Sequence, residues 1–354
     1  MQRPDYPRLT RLAAGFPESN DETALTHYAI ESLRRGAHSS LAQILATSCH
    51  LPTIQRFSPQ LLPNLTTPET ELNRIRLILA LDYQDSIETL NHYELLTPDN
   101  SYTPDYEYTN PEKPEQNFNR KEPYPMPTLA QIFENLSEEQ LLLYKKMEEQ
   151  GLKPRLQLTP IGLTLRKLKK QIDSHKELEN QNNTTMWDDI QGHQLIYASK
   201  EFSVGRNSDG DDTLEKEGGI SKAEWITRND GWLVDIVATN QDFEADKKLQ
   251  QDGNGRWLTL GQQAVNFHNQ FQKEGYSHIS YEAYMLAQMR AILEGKPLEE
   301  YSWTILLDSL TENEKLVSYG FWNRYHVGLC YSGANLRYNS GLRCRRSVRV
   351  LWNL

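Results

Sequence analysis

The sequence predicts an α+β protein in which a mostly α-helical N-terminal region precedes a C-terminal domain of mixed helices and strands. Between residues 72 and 96, apolar side chains recur at three- and four-residue spacing, which is typical of an amphipathic helix. From about Met186 the period changes, and strand-like runs at 194–199 and 232–239 precede two helical patterns. A domain with strands at both ends and helices between them is typical of the α+β class.

Residues 1–97 form the predicted helical N-terminal region. Thr67, Pro68 and Glu71 supply a cap, a first helical position and an acidic first turn, and Pro98 stops the pattern. One face of this predicted helix is apolar and consists of Ile75, Leu79, Tyr83, Ile87 and Leu90.

Residues 98–127 are rich in Pro, Asn and Glu and contain few aliphatic side chains. We expect this segment to be an extended, polyproline-like or disordered linker. Residues 128–185 then form a predicted helical connector. Ser137 with Gln140 is a capping box, and Gly151 is in the usual place for a C-terminal glycine.

The second connector helix, predicted over 160–180, is amphipathic and basic on one side. Its apolar residues are Ile161, Leu165, Leu168 and Ile172, and its basic residues are Arg166, Lys167, Lys169 and Lys170. A basic amphipathic helix can lie on a membrane or bind a partner helix. An ordinary packed helix with a solvated basic face is the interpretation that we favour.

Residues 186–354 form the predicted C-terminal domain, with helices over 259–273 and 280–295 and strands over 301–307 and 342–351. Trp225 and Trp232 lie in or beside predicted elements and are expected in the core, because one large side chain can fill much of it. In the last strand, alternation places Leu342, Cys344, Val348 and Val350 on one face and Arg343, Arg345, Ser347 and Arg349 on the other.

Composition and charge limit the classes of function. The chain has 354 residues and a net charge of −10, which argues against general nucleic-acid binding. No apolar run approaches the ~20 residues of a membrane span, and no signal-peptide pattern is present, so we expect a soluble protein, cytoplasmic or particle-associated. The basic cluster Arg337, Arg343, Arg345, Arg346 and Arg349 could meet phosphate or an acidic partner, but a solvent-facing strand is favoured.

Motifs for catalysis, metals and cofactors are sparse. Asp209, Asp211 and Asp212 are candidate metal ligands by composition, but the spacing does not fit an EF-hand, and the same residues form turns. No phosphate loop, dinucleotide fingerprint or zinc pattern occurs, so no cofactor is predicted. Cys330 and Cys344 could pair if the tail folds back, and His326 lies four residues before Cys330, which leaves a cysteine-dependent activity open.

The segment 321–340 has a different composition from the rest of the chain. Trp, Tyr, His, Asn, Ser and Arg crowd together, punctuated by Gly328, Gly333 and Gly341, and neither helical periodicity nor clean alternation is present. Aromatic and short polar side chains give contact area and adaptable hydrogen bonds at low entropic cost, as in antibody loops. The segment therefore predicts a binding surface on a rigid base.

The order of these residues resembles the variable region of the C-type-lectin-fold proteins that diversity-generating retroelements diversify. The aromatic pair Phe321-Trp322 opens the segment, and Gly341-Leu342-Arg343 with an alternating strand closes it. Between them lie residues that arise from an AAC codon by changes at adenine. They are Asn323, Tyr325, His326, Cys330, Tyr331, Ser332, Asn335, Arg337, Tyr338, Asn339 and Ser340.

The resemblance covers residues 190–354 and implies a C-terminal C-type-lectin-like domain that recognises a protein or cell-surface ligand. It implies that the ligand contacts are Phe321, Asn323, Tyr325, His326, Tyr331, Ser332, Asn335, Arg337, Tyr338, Asn339 and Ser340. It also implies a scaffold of Trp303, Trp322, Gly328, Gly341, Arg343, Cys344, Val348 and Val350. A homo-oligomer would add multivalency.

Two other functions stay open from the sequence. A formylglycine-generating-enzyme-like oxidoreductase shares the same general fold and needs a suitable cysteine pair. A structural component of a phage or secretion assembly would use the tail merely as a surface.

Overall fold

The computed structural model describes residues 68–109, 111, 117–174, 187–188, 195–240, 243–294, 298, 303–311, 313–323, 326–337 and 342–350. It confirms the mixed α+β class. The chain divides into two compact units, Met1–Asp85 and Ser86–Leu354. No helix among the described residues is both long enough and apolar enough to cross a membrane.

Helix α1, Pro68–His92, begins at the proline that the sequence placed at the first helical position. In the first unit, Ile75 and Leu79 of this helix are fully buried, and Leu90 is fully buried in the second unit. The predicted apolar face is thus confirmed at these three positions. The predicted cap, Thr67, lies outside the described residues.

The segment after α1 packs within the second unit, contrary to the expected linker, because two of its tyrosines, Tyr102 and Tyr124, are buried. Strand β1 (Ser101–Tyr102) pairs with β2 (Tyr124–Pro125), and both tyrosines are buried. The hydroxyl of Tyr102 donates to the carbonyl of Gly231 at 2.5 Å and accepts from the backbone N–H of Gly162 at 2.9 Å. Aromatic rings therefore offset the lack of aliphatic side chains in this segment.

Two capped helices follow, α2 (Leu129–Asn135) and α3 (Glu138–Glu149). The capping box at Ser137 and Gln140 is confirmed, since each side chain accepts from the other residue's backbone N–H. Gly151 follows α3 with a φ of 73°, a left-handed conformation that glycine adopts without strain.

A three-stranded antiparallel sheet runs in the order β14-β8-β3. Its strands are β3 (Pro154–Pro160), β8 (Trp232–Ala238) and β14 (Ser347–Arg349). Strand β8 is buried along its whole length, as its apolar sequence predicts, and Trp225 and Trp232 are in the core. The sequence predicted no strand at β3, which lies in the segment assigned as a helical connector.

Helix α4, Leu165–Ser174, follows β3 and is shorter than the predicted 160–180 helix within the described residues. Its side chains Leu168 and Ile172 are fully buried. The interpretation as a packed amphipathic helix is confirmed for this face.

Two small antiparallel pairs flank the core. Strands β5 (Leu195–Tyr197) and β10 (Ser309–Thr311) form one, and β6 (Glu201–Arg206) and β7 (Asp212–Glu217) form the other.

Of the three candidate metal-ligating aspartates, Asp209 and Asp211 lie in the turn between β6 and β7, and Asp212 is the first residue of β7. The side-chain oxygen of Asn207 accepts from the backbone N–H groups of Asp209 and Asp211, and Asp212 accepts from the Thr259 hydroxyl at 2.7 Å. Among the described residues, no group of three or more His, Cys, Asp or Glu side chains is placed to hold a metal ion. The geometry is that of a hairpin turn.

A five-stranded sheet has the order β13-β9-β11-β12-β4. Its strands are β4 (Trp187–Asp188), β9 (Trp303–Ile305), β11 (Leu316–Asn323), β12 (His326–Gly333) and β13 (Leu342–Cys344). The central pair, β11 and β12, is antiparallel, whereas β13 and β4 are added parallel to their neighbours. The sequence of 321–340 showed no clean alternation, so this hairpin was not predicted.

Four helices complete the fold: α5 (Lys222–Arg228), α6 (Phe243–Gln250), α7 (Leu260–Glu274) and α8 (Tyr281–Leu293). The predicted helices at 259–273 and 280–295 correspond to α7 and α8, with Thr259 and Ser280 as their N-caps. Residues 281–291 of α8 are all buried, so this helix is surrounded by the protein.

Gly320 allows β11 to approach α8 closely. A Cβ at this position would lie 2.1 Å from Cε1 of Tyr284, which is itself fully buried and cannot swing into solvent. We expect Gly320→Ala to lower the free energy of unfolding by about 1–3 kcal/mol, the range for overpacked cores. Urea denaturation measures the loss.

The control for this substitution is a glycine with open space around it and no positive φ, which Gly253 provides. Gly210 is less suitable, because its positive φ would strain an alanine. Gly253→Ala should therefore change stability by less than about 0.5 kcal/mol. Equal losses in the two variants would contradict the proposed clash with Tyr284.

Candidate recognition surface

The β11–β12 hairpin carries the start of the segment in which the sequence predicts ligand contacts. Phe321 is opposite Gly328 in the antiparallel register, and Asn323 is opposite His326 at the end of the hairpin. These pairs fix the backbone of four predicted residues. The hairpin is supported on both edges, since β9 pairs with β11 and β4 pairs with β12.

The turn that follows β12, residues 333–337, is held in place by its main chain. The carbonyls of Ala334 and Leu336 accept from the backbone N–H groups of Gly261 and Leu260, both at the start of α7. The N–H of Ala334 donates to the carbonyl of Lys315. Since the first N–H groups of a helix have no partner within the helix, this turn also satisfies two donors of α7.

The side chains of this turn divide into one anchor and three displayed groups. Ala334 is fully buried, whereas Asn335, Leu336 and Arg337 are exposed, Leu336 with 46% of its surface accessible. Arg337 donates to the carbonyl of Trp257 at 3.2 Å. The backbone therefore determines the position of the displayed side chains, and those of Asn335 and Leu336 contribute little to the fold.

Ser332 joins the displayed set from the end of β12. Its side chain is half-buried, and its hydroxyl donates to the Tyr319 hydroxyl at 3.4 Å. The ring of Tyr319 stacks on Trp303 with 5.0 Å between centroids. Trp303 thus contacts β11 from the neighbouring strand β9.

Part of the predicted site lies outside the described residues. Tyr325, Tyr338, Asn339, Ser340 and Gly341 belong to that part. For another group the structure describes only the backbone, in β11 and β12. This group consists of Phe321, Trp322, Asn323, His326, Gly328 and Tyr331.

The last strand is not one strand, and its arginines do not form a solvent-facing strip. Residues 345 and 346 separate β13 from β14, and the two strands belong to different sheets. Arg343, Arg345 and Arg346 are each less than 9% exposed. The expected solvent-facing strand is wrong because buried acceptors satisfy these guanidinium groups in the interior.

Arg349 is the centre of a buried ion-pair cluster. Its Nε and Nη2 donate to the two carboxylate oxygens of Asp235 at 2.9 and 3.2 Å, and Nη2 lies 2.7 Å from Oδ2 of Asp308. Asp235 is fully buried. Burial raises the pKa of Asp308, although Arg349 beside it acts in the opposite direction.

The other arginines connect the tail to loops and helices. Arg345 donates to three backbone carbonyls, those of Ala238, Thr239 and Leu298. Arg346 lies 3.4 Å from Asp246. Arg345 and Arg346 therefore fix the connection between β13 and β14 to β8, to the residue that follows it and to α6.

Arg343 and Cys344, both predicted scaffold residues, lie in β13 and are buried. Arg343 donates to the side chain of Gln250 at 2.7 Å. Cys344 is a free cysteine, as is Cys330, so the possible disulfide between them is absent. Val348 and Val350 are buried as well, and the scaffold role of these residues stays a prediction.

Behind β13, two histidines form a hydrogen-bonded chain. Nε2 of His268 lies 3.0 Å from the carbonyl of Lys200, so it carries a proton and donates. Nδ1 of His268 then accepts from Nε2 of His278 at 2.9 Å, which leaves Nδ1 of His278 unprotonated and 3.9 Å from Sγ of Cys344. This chain fixes one tautomer of each ring.

Burial disfavours the charged forms of the three hydrogen-bonded groups, which are His268, His278 and Cys344. Burial, together with the smaller effects of the neighbouring His268 and Arg349, lowers the pKa of His278 to about 3. Burial also lowers the pKa of His268 and raises the pKa of the Cys344 thiol well above its usual range. A thiol in this state is a poor nucleophile, because the thiolate is the reactive form.

Sequence analysis did not identify the acidic partners of the arginines or a second buried ion pair. In that pair, Glu282 is fully buried and accepts from Lys222 at 3.0 Å and from the Tyr197 hydroxyl at 2.8 Å. The sequence does contain a sign that Asp235 is buried, because it is the single carboxylate within the apolar run of β8. Buried carboxylates require a partner, so an isolated one predicts a buried cation elsewhere in the chain.

No protein-family model, curated protein or solved structure matches this chain.

Proposed function

We propose that this protein recognises a protein or cell-surface ligand through a surface made of the β11–β12 hairpin and the turn 333–337. The proposal rests on one observation, which is that the main chain of this turn holds its fold and three of its side chains are displayed. Main-chain hydrogen bonds hold it, while Asn335, Leu336 and Arg337 are exposed. A surface of this kind can exchange its side chains without losing its fold.

The chemistry of the segment supports binding. Tyr and Arg are among the side chains that most often dominate interface energy, and both occur in the segment, as Tyr331 and Arg337. A rigid base reduces the entropy lost on binding. The sheet on both sides of the hairpin and the buried arginines behind it provide such a base.

The finer proposal is that the surface belongs to a C-type-lectin-like domain that a retroelement diversifies. The residues between Phe321 and Ser340 that arise from asparagine codons motivate it. A non-coding near-copy of the DNA encoding 321–340, differing only where it has adenines, should then lie close to the gene. A gene neighbourhood with neither this copy nor a reverse-transcriptase gene would refute the retroelement origin.

A cysteine-dependent oxidoreductase has less support. Cys330 and Cys344 are both buried, and burial raises the pKa of Cys344. We therefore assign no catalytic role to either.

Stability measurements test the division of labour in the turn. We expect Asn335→Tyr and Leu336→Ser each to change the free energy of unfolding by less than about 0.5 kcal/mol, because both side chains are exposed. The matched control is the neighbouring Ala334→Leu, which should lose about 1–3 kcal/mol because Ala334 is fully buried. Urea denaturation distinguishes the two outcomes.

A selection experiment tests recognition itself. A displayed library randomised at Ser332, Asn335, Leu336 and Arg337 is selected against a purified model protein, beside a control library randomised at the exposed α3 positions Glu138, Glu139 and Leu142. We expect binders to be enriched from the first library more strongly than from the control. Equal enrichment, or unfolding of most members of the first library, would contradict the proposal.

A further inference from the structure

One face of α4 carries four cations close together. Arg166 and Lys170 are exposed, and Lys167 and Lys169 are half-buried. At 100° per residue, the four side chains fall within an arc of about 160° of the helix surface. The buried Leu168 lies outside this arc, so the cations form the outward face of a helix whose apolar face is already packed.

These cations have no carboxylate partner in the part of the chain that the structure describes. None of the four side chains forms an ion pair there. At the start of α4, the carboxylate of Asp105 accepts from the N–H and hydroxyl of Thr164 at 2.6 and 2.7 Å. Within α4 there is one acidic residue, Asp173, so four positive charges and one negative charge leave the helix at +3.

The arrangement is unfavourable for an isolated helix. Residues three or four positions apart are neighbours on a helix, and like charges at that spacing destabilise it. Arg166 has this spacing to Lys169 and Lys170, and Lys167 has it to Lys170. On the same helical projection Asp173 falls inside this arc, three and four positions after Lys170 and Lys169, so four cations share the face with one carboxylate. In a chain with ten more acidic than basic residues, such an excess of positive charge is an exception.

We propose that the cationic face of α4 is a docking surface for an acidic protein segment. The apolar face of α4 is buried, so the helix has no free apolar side with which to enter a membrane. The net charge of −10 repels an extended polyanion such as nucleic acid at long range. A short segment with a few carboxylates meets only the positive face, since the four cations span about 6 Å along the helix axis.

Fluorescence anisotropy with a labelled octaglutamate peptide tests the proposal on the full chain. We expect binding at low salt that weakens as salt is added, because exposed charges are screened. A variant with Arg166, Lys167, Lys169 and Lys170 all changed to Gln should bind about tenfold more weakly or not at all. Glutamine keeps the helix propensity of the basic residues that it replaces.

The matched control is the pair Lys247→Gln and Lys248→Gln in α6, two adjacent exposed lysines. This variant removes the same kind of charge elsewhere and should bind octaglutamate as the original protein does. If the fourfold variant does not fold, the single change Lys170→Gln on an exposed side chain replaces it, and a smaller loss of affinity is expected.

Three results would overturn the proposal. The first is that the folded original protein does not bind octaglutamate, and the second is that the α4 and α6 variants lose equal affinity for it. The third is that a thymidine octanucleotide or anionic vesicles bind more tightly than octaglutamate. No residue of the recognition surface is altered in these variants. Failure here is therefore separate from failure of the selection experiment.

Discussion

Replacing Arg349 with methionine is expected to lower the free energy of unfolding by about 3–5 kcal/mol, the range for removing one partner of a buried ion pair. The guanidinium holds two carboxylates, Asp235 and Asp308, in the interior. Without it both would lie in a medium of low polarity with no opposite charge beside them. Urea denaturation followed by tryptophan fluorescence measures the loss, and the ring of Trp225, 4.9 Å from the guanidinium carbon, is a local reporter.

Arg228→Met provides the matched control, because Arg228 is an exposed arginine that pairs with Glu224 one helical turn away. Exposed pairs contribute about 0–1 kcal/mol, so little stability should be lost. Adding Asp235→Asn to Arg349→Met should recover part of the loss, since it removes one of the unpaired charges. A loss below about 1 kcal/mol for Arg349→Met would show that the carboxylates are solvated without their partner.

Acidification is expected to destabilise the protein through His278. Its pKa is about 3 in the folded protein and near 6.5 when the chain is unfolded, so the unfolded chain binds an additional proton between these values. The contribution of the neutral His278 to stability is therefore fully present above about pH 6.5 and is lost as the pH decreases toward 3. One proton corresponds to a slope of about 1.4 kcal/mol per pH unit, to which the lowered pKa of His268 adds in the same direction.

Urea denaturation at several pH values from neutral to mildly acidic measures this slope. His278→Gln should reduce it, because the glutamine side chain does not titrate. Val348→Ala is the control: Val348 is buried, so the variant is less stable, but it should keep the slope of the original protein. An unchanged slope in His278→Gln would mean that the ring is already protonated in the folded state.

Local signals were sufficient to predict most helices. Ser137 with Gln140, Thr259 and Ser280 each precede an apolar periodic run, and each caps the helix that the sequence predicted there. These contacts join residues three positions apart, so a single stretch of sequence contains them. Strand β8 was equally easy to predict, because a strand that is buried along its whole length has a largely apolar sequence.

Contacts between distant residues were not predictable from the sequence. The burial of Arg349 depends on Asp235, 114 residues earlier, and an arginine without its partner in view is naturally assigned to water. The hairpin of β11 and β12 was missed for another reason. Its sequence lacks clean alternation, and the backbone pairing of the hairpin with β9 and β4 stabilises the strands instead.

In the candidate surface, the sequence identified the segment but not how the turn is held. The family resemblance implies Asn335 and Arg337 as ligand contacts, which stays a prediction, and both side chains are exposed. Ala334 and Leu336 carry the main-chain bonds to α7, and nothing in their side chains indicates this role.

The hydrogen bonds of the turn 333–337 also determine which substitutions the fold tolerates there. At Leu336 the fold uses the carbonyl, which every amino acid has, and the N–H, which donates to Gly333. Proline alone lacks this hydrogen, so the position accepts any other side chain that solvent can accommodate. A lineage can therefore change the shape and charge of this surface by single substitutions, without first acquiring compensating changes in the core.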